Sequence, residues 1–234
     1  MQTVLSKSGY ISAERAAELD AVAAAAAEKD RRLLAAKLRQ ECGLFPRDAD
    51  AAFDRTDVPR RRLTPQQFDR YTAVLAELKT LLKWPGLLIL SGDNGPGKTH
   101  MAAMAVNDHC DAGRSAYYCT SMHYYRLLAS TFDAPGKTQL DLYRRLHGYD
   151  LLVLDELEIR PAKPWHDNEL RDLINARYGH RLSTVLITNK SPAQLLSDDG
   201  GGEPYLPRAI RDRLQHEGGV LLCDWPTLRA HSTK

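Results

Sequence analysis

Residues 87–99, LLILSGDNGPGKT, decide the fold. The apolar run Leu87–Leu90 reads as a buried strand, enters a glycine-rich turn and leaves through Lys98 and Thr99 into an Ala/Met-rich helical pattern. Gly92, Gly97, Lys98 and Thr99 satisfy G-x-x-x-x-G-K-[ST] at every fixed position, in the strand–loop–helix setting that the motif requires. The chemistry explains the spacing. Glycines let the backbone of Gly92, Asp93, Asn94, Gly95, Pro96 and Gly97 wrap a phosphate chain with its N–H groups turned inward. The helix that follows adds its unpaired N-terminal donors and the positive end of its dipole. In such a loop the lysine reaches the β- and γ-phosphates of ATP and the threonine hydroxyl is a ligand for Mg2+. Pro96 departs from the usual loop chemistry, because it removes one backbone donor and stiffens the turn.

A second phosphate-site strand follows in YDLLVLDELE, residues 149–158. Leu151–Leu154 is buried-strand sequence, and Asp155 and Glu156 stand at its C-terminal edge. Asp155 is placed to hold Mg2+, directly or through water, and Glu156 to orient and deprotonate an attacking water. A third apolar run, Thr184–Thr188, ends in Asn189, whose amide could bind a γ-phosphate or position the water. Ala116–Cys119 and Val220–Cys223 complete five strands, separated by helical patterns at 98–110, 123–131, 137–148, 167–180 and 208–214. Strands alternating with helices specify an α/β fold. Its parallel five-stranded sheet carries helices on both faces and binds ligands at the strand carboxyl ends.

Upstream, residues 12–42 form a long alanine-rich helical stretch, with Ser12 placed to cap it and Gly43 to stop it. Two readings of this stretch stay open: an exposed helix packed weakly on the body, or an arm that approaches a partner helix closely. Residues 43–65 read as a connector with a basic run, Arg60–Arg62, that is solvated or touches phosphate. Residues 65–83 carry helical periodicity up to Pro85-Gly86. The expected division is a helical partner-binding segment at 1–45, a connector and leading helix at 46–86, and an ATPase domain at 87–234. The net charge of +2 excludes a broad basic field, so any contact with nucleic acid is local. Four cysteines with no C-x-x-C, no metal spacing to the eight histidines, no membrane span and no signal sequence imply reduced thiols in a cytoplasmic protein.

SGDNGPGKTHMAAM, LLVLDE, VLITN, AIRDRL and DWPTLR occur here in that order. Together they resemble the AAA+ ATPases of the DnaC-type replicative helicase loaders and the IstB-type transposition helpers. The segment GLFPRDADAAFD before them is also similar to what precedes that ATPase core, so the resemblance covers roughly residues 43–234. It implies an AAA+ (ASCE) P-loop NTPase core that binds ATP and Mg2+, hydrolyses ATP, and self-associates through its ATP sites. It places His100 with the phosphate loop, Asn189 on the sensor-I position and Arg229 on a sensor-II-like arginine. Arg213 falls on an arginine finger that completes a neighbour's site. Phe132 and Trp165 occupy the places from which aromatic rings contact single-stranded DNA in the loaders, or are packing residues. A loader's partners are a hexameric replicative helicase and single-stranded DNA, without a membrane. The same core serves a transposase in the transposition helpers, and a nucleotide-binding adaptor with little hydrolysis is a further alternative. Glu158 departs from the pattern, which usually has glycine after the Asp-Glu pair, and the loop SDDGGGEP is longer than usual. With the last strand read at Val220–Cys223, the helical lid common in this superfamily is expected to be missing.

Overall fold

The computed structural model describes residues 3–6, 9–130, 139–159, 164–196 and 205–229, with side-chain surroundings from residue 13 onward except at 139–140 and 164–165. The chain begins with an antiparallel pair, β1 (Thr3–Ser6) and β2 (Gly9–Ser12), followed by the 29-residue α1 (Ala13–Glu41). The helix therefore starts one residue after Ser12, which closes a strand and was expected to be the cap. No periodicity at 3–12 announces the pair.

The connector is more ordered than its prolines suggested. Pro46–Asp48 forms a 3-10 turn and Asp57–Arg62 forms α2. Pro59 is tolerated there because the first-turn amides have no intrahelical acceptor. The basic run lies on α2 and is partly spent on the fold. The Arg60 guanidinium sits 5.0 Å from the Phe68 ring, and Arg62 donates to the Leu228 carbonyl. Thr64 opens α3 (Pro65–Leu81) with a reciprocal cap: its backbone N–H donates to Gln67 Oε1, its hydroxyl accepts from the Gln67 N–H, and Pro65 takes the first helical position.

Then come β3 (Leu87–Ser91), α4 (Lys98–Asp111), β4 (Ala116–Thr120), α5 (Ser121–Ala129), α6 (Gln139–Gly148) and β5 (Leu151–Asp155). The order closes with α7 (Pro164–Gly179), β6 (Ser183–Thr188), α8 (Pro192–Leu196), α9 (Arg208–Glu217) and β7 (Gly218–Leu222). β3 through β7 make one parallel sheet in the order β4-β5-β6-β3-β7. The phosphate-loop strand β3 is flanked by β6 and β7, and β6 separates it from the acidic strand β5. Ligand-binding residues on β3, β5 and β6 therefore share one carboxyl edge. This is the AAA+ P-loop NTPase core.

Side chains along the central strands alternate between two cores. Leu88, Leu90, Val153, Val185 and Ile187 face the core built with α3 and α4. Leu87, Ile89, Leu152, Leu154 and Leu186 face the core built with α5, α7 and α9. Both faces are covered, which is why these strands read as unbroken apolar runs. α4 is buried on nearly every side, with Met101 through Asn107 inside. Asn107 ties it to the connector, its amide donating to the carbonyls of Asp48, Ala49 and Ala51 at 3.2, 3.2 and 2.9 Å. The four cysteines are free and buried. Among the described residues no helix is long and apolar enough to cross a membrane.

Candidate functional site

The loop from Gly92 to Gly97 leaves β3 and delivers the chain to α4 at the sheet's carboxyl edge. Gly92 has φ +140° and Gly95 φ +102°, a region that costs a residue with a Cβ. The space forbids one as well, since a Cβ on Gly92 would strike the Cys223 carbonyl and one on Gly95 the Thr227 side chain. The segment after β7 thus lies directly against the loop. Leu228 N–H donates to the Gly95 carbonyl at 2.8 Å, and the Trp225 indole N–H donates to the Pro96 carbonyl at 2.8 Å. Pro96 therefore sits in a braced turn whose carbonyl is put to use.

Lys98 is buried and its Nζ donates to the carbonyls of Gly92 and Asp93, both at 2.6 Å, and to Asn189 Oδ1 at 2.9 Å. Burial pulls its pKa down, against the pull of neighbouring acidic groups. Thr99 Oγ1 donates to Asp155 Oδ2 at 2.7 Å, and Tyr118 donates its hydroxyl to the same oxygen at 2.8 Å. The Glu156 amide donates to Asp155 Oδ1 at 2.7 Å, so that carboxylate is held on both oxygens. Glu156 itself has φ 54°, an uncommon conformation for a non-glycine residue that turns the chain sharply at the strand end. Burial, then Asp155 and Glu158, raises its pKa above the usual carboxylate value.

Lys98, Thr99, Asp155, Glu156 and Asn189 line one cavity of about 980 Å³. Its floor is Lys98, Thr99, Asp155, Glu156, Glu158 and Asn189. Its far wall comes from the connector and the C-terminal segment, among them Arg47, Asp48, Val58, Pro59, Leu228 and Arg229. His100 lines it too, with Nδ1 3.4 Å from Asp48 Oδ1. The floor thus sets one buried cation and the loop backbone beside a group of carboxylates, suited to a phosphate chain with its metal ion, and the wall offers Val58, Pro59 and Leu228 between charged edges, suited to a base and sugar.

A profile of the family described as IstB-like ATP binding protein matches residues 48–233. The chain belongs to this family. The replicative helicase loader DnaC of Escherichia coli (strain K12) is 23% identical over 146 residues, which cover 62% of this chain and 57% of that protein. An insertion-sequence ATP-binding protein of Sinorhizobium fredii (strain NBRC 101917 / NGR234) is 29% identical over 148 residues, covering 63% of this chain and 58% of its own length. Each match therefore spans less than two thirds of the relative. The crystal structure of a DnaC helicase loader superposes with TM-score 0.57 at 20% identity, over 76% of this chain and 99% of that one, and shows the shared fold.

Within this IstB-like ATP binding protein, the residues read from sequence separate into two groups. Asn94, Gly95, Gly97, Lys98, Thr99, His100, Asp155, Glu156, Asn189 and Arg229 line the cavity, with Gly92, Asp93 and Pro96 in the loop that forms it. Arg213 lies outside its lining. On α9 its Nη1 donates to the Ala209 carbonyl at 2.5 Å, and its guanidinium rests 5.3 Å from the Tyr178 ring. Phe132 falls outside the described residues, and Trp165 lies in the first turn of α7 with its side chain outside them. Sequence reasoning missed Tyr118, Trp225 and the connector wall at Asp48 and Val58–Pro59. Trp225 stood in the quoted DWPTLR, but a lone tryptophan near a chain end carries no signal that its partner is a proline carbonyl 129 residues away.

Proposed function

We propose that this chain is an ATP-dependent helicase loader: it binds a hexameric replicative helicase and delivers it to single-stranded DNA. The observation that carries the reading is the convergence of Lys98, Thr99, Asp155, Glu156 and Asn189 in one cavity of a family member. Lys98 neutralises the β- and γ-phosphates, and the backbone N–H groups of Asn94, Gly95 and Gly97 cradle them. Thr99 and Asp155, already joined at 2.7 Å, are hard oxygen donors that fit Mg2+, which takes few protein ligands and completes its shell with phosphate and water. Among the described residues no cluster of three or more His, Cys, Asp or Glu is placed to hold a metal without a nucleotide. When bound, Mg2+ offsets the charge of the phosphates. Glu156, with its raised pKa, takes the proton of the attacking water, and Asn189 senses the terminal phosphate. Arg229 approaches the nucleotide from the C-terminal segment.

Arg213 serves a neighbouring subunit. A trans arginine is worth roughly 10³–10⁵ in turnover, so hydrolysis stays weak until subunits assemble on the helicase or on DNA. Residues 1–45 bind the partner, 46–86 form the base-side wall and leading helix, 87–234 form the ATPase, and Phe132 and Trp165 stack on bases. The protein works in the cytoplasm. The insertion-sequence relative supports a second reading, an IstB-like helper of DNA transposition, which a pull-down with residues 1–45 against a helicase and a transposase separates. The trans role is tested by mixing Lys98→Ala, which keeps a sound Arg213, with Arg213→Ala, which keeps a sound loop. Each inactive alone, they regain part of the ATPase activity together. No rescue at any ratio, with both proteins shown to assemble, removes the trans role.

A further inference from the structure

Glu158, the residue that breaks the family pattern, is bonded into the site. Its carboxylate gathers three donors from the end of β6. Thr188 Oγ1 reaches Oε2 at 3.0 Å, the Asn189 backbone N–H reaches Oε2 at 3.3 Å, and Asn189 Nδ2 reaches Oε1 at 2.6 Å. The same Asn189 accepts from Lys98 Nζ on Oδ1 at 2.9 Å. Lys98, Asn189 and Glu158 therefore form one hydrogen-bonded row along the cavity floor, with the amide orientation fixed by a cation on one side and an anion on the other. Thr99 and Asp155, the pair suited to Mg2+, are bonded to each other and not to this row.

We propose that Glu158 sets the preference of this site for nucleoside di- over triphosphates, by holding on Asn189 a negative charge that competes with the third phosphate. The inference rests on the ATP-site reading of the cavity. Two phosphates are served by the loop backbone and Lys98, and Lys98 is the link from them to Asn189, at 2.9 Å. A third extends toward Asn189 and meets a donor already engaged by a carboxylate, next to a like charge. Two anions a few ångströms apart in a partly buried cleft repel, and because the repulsion falls with distance the terminal group added by the longer ligand feels it most. Where glycine stands in place of Glu158, neither the charge nor the bond to Asn189 exists. A site so built releases its grip on the terminal phosphate more readily, and keeps the diphosphate form longer.

Equilibrium binding of ADP and of a non-hydrolysable ATP analogue, both with Mg2+, to the full chain and to Glu158→Gln and Glu158→Ala tests this. Glu158→Gln keeps an acceptor for Asn189 and removes only the charge. Both variants are expected to bind the ATP analogue on the order of tenfold more tightly, about 1.4 kcal/mol, with ADP affinity within about twofold of the parent. Retained ADP binding shows that the variants fold. If the ratio of the two affinities is unchanged or falls in Glu158→Gln, Glu158 is only a buttress of β6 and the proposal is wrong, whereas the ATP site stands. If the parent chain binds neither ligand, the ATP-site reading falls and this inference with it.

Discussion

Two alanine-rich helices of this chain meet opposite fates. α1 contains five consecutive alanines, Ala23–Ala27, and not one of its side chains is buried. α4 reads KTHMAAMAVNDHCD and is buried without a break from Met101 to Asn107. Alanine propensity makes both helices, and it does not distinguish them. What differs is the large side chains and the place in the chain. α4 carries Met101, Met104 and Val106, and it is launched from the sheet's edge with Lys98 and Thr99 in its first turn. α1 offers Val22, Leu33 and Leu34, which are 68%, 60% and 45% exposed. Its chief polar tie is Arg39, which donates to Asp111 at the end of α4 with Nε at 2.7 Å and Nη2 at 2.5 Å. A helix becomes part of the core by what flanks its alanines.

The contrast can be broken by substitution. The largest expected effect is Met101→Ala: it removes a fully buried side chain in the turn behind the phosphate loop. It should lower unfolding free energy by about 2–5 kcal/mol in denaturant titration. A loss as small as that of a surface change would mean α4 is not packed as described. A subtler comparison adds volume instead. Ala103→Leu forces three carbons into a fully buried site and should cost about 1–3 kcal/mol, whereas Ala24→Leu on exposed α1 should fall within about 0.5 kcal/mol of the parent. Equal effects at the two positions would erase the distinction. The smallest effect expected is that of Arg39→Ala. It removes a half-exposed ion pair worth about 0.2–1 kcal/mol, so proteolysis within residues 13–41 should quicken while ATP affinity stays put. A fall in ATP affinity would instead couple α1 to the site.

How much was legible follows the same division. The five strands, their parallel direction and the Gly-Lys-Thr loop were readable because period, spacing and turn chemistry are local. The buried runs at 87–91, 151–155 and 183–188 announce strands covered on both faces. What escaped depends on pairings between distant segments. Tyr118 reaches Asp155 only because β4 and β5 lie side by side, and Trp225 reaches Pro96 only because β7 is adjacent to β3. Glu158 was noticed as a misfit to the family pattern, but its bonds to Thr188 and Asn189 required the β6 end to be placed beside it. The antiparallel pair at Thr3–Ser12 was invisible for a different reason, since two four-residue strands carry too few residues for a period to show.

If the cavity behind Gly92–Thr99 is an ATP site, a fluorescent ATP analogue should fill it in an equilibrium titration. Lys98 is the buried cation that joins the loop carbonyls to Asn189. The parent chain should bind the analogue saturably, the Arg39→Ala protein should match it, and Lys98→Ala should lose binding while retaining its fold by circular dichroism. Undiminished affinity in Lys98→Ala would place the nucleotide elsewhere and contradict the assignment.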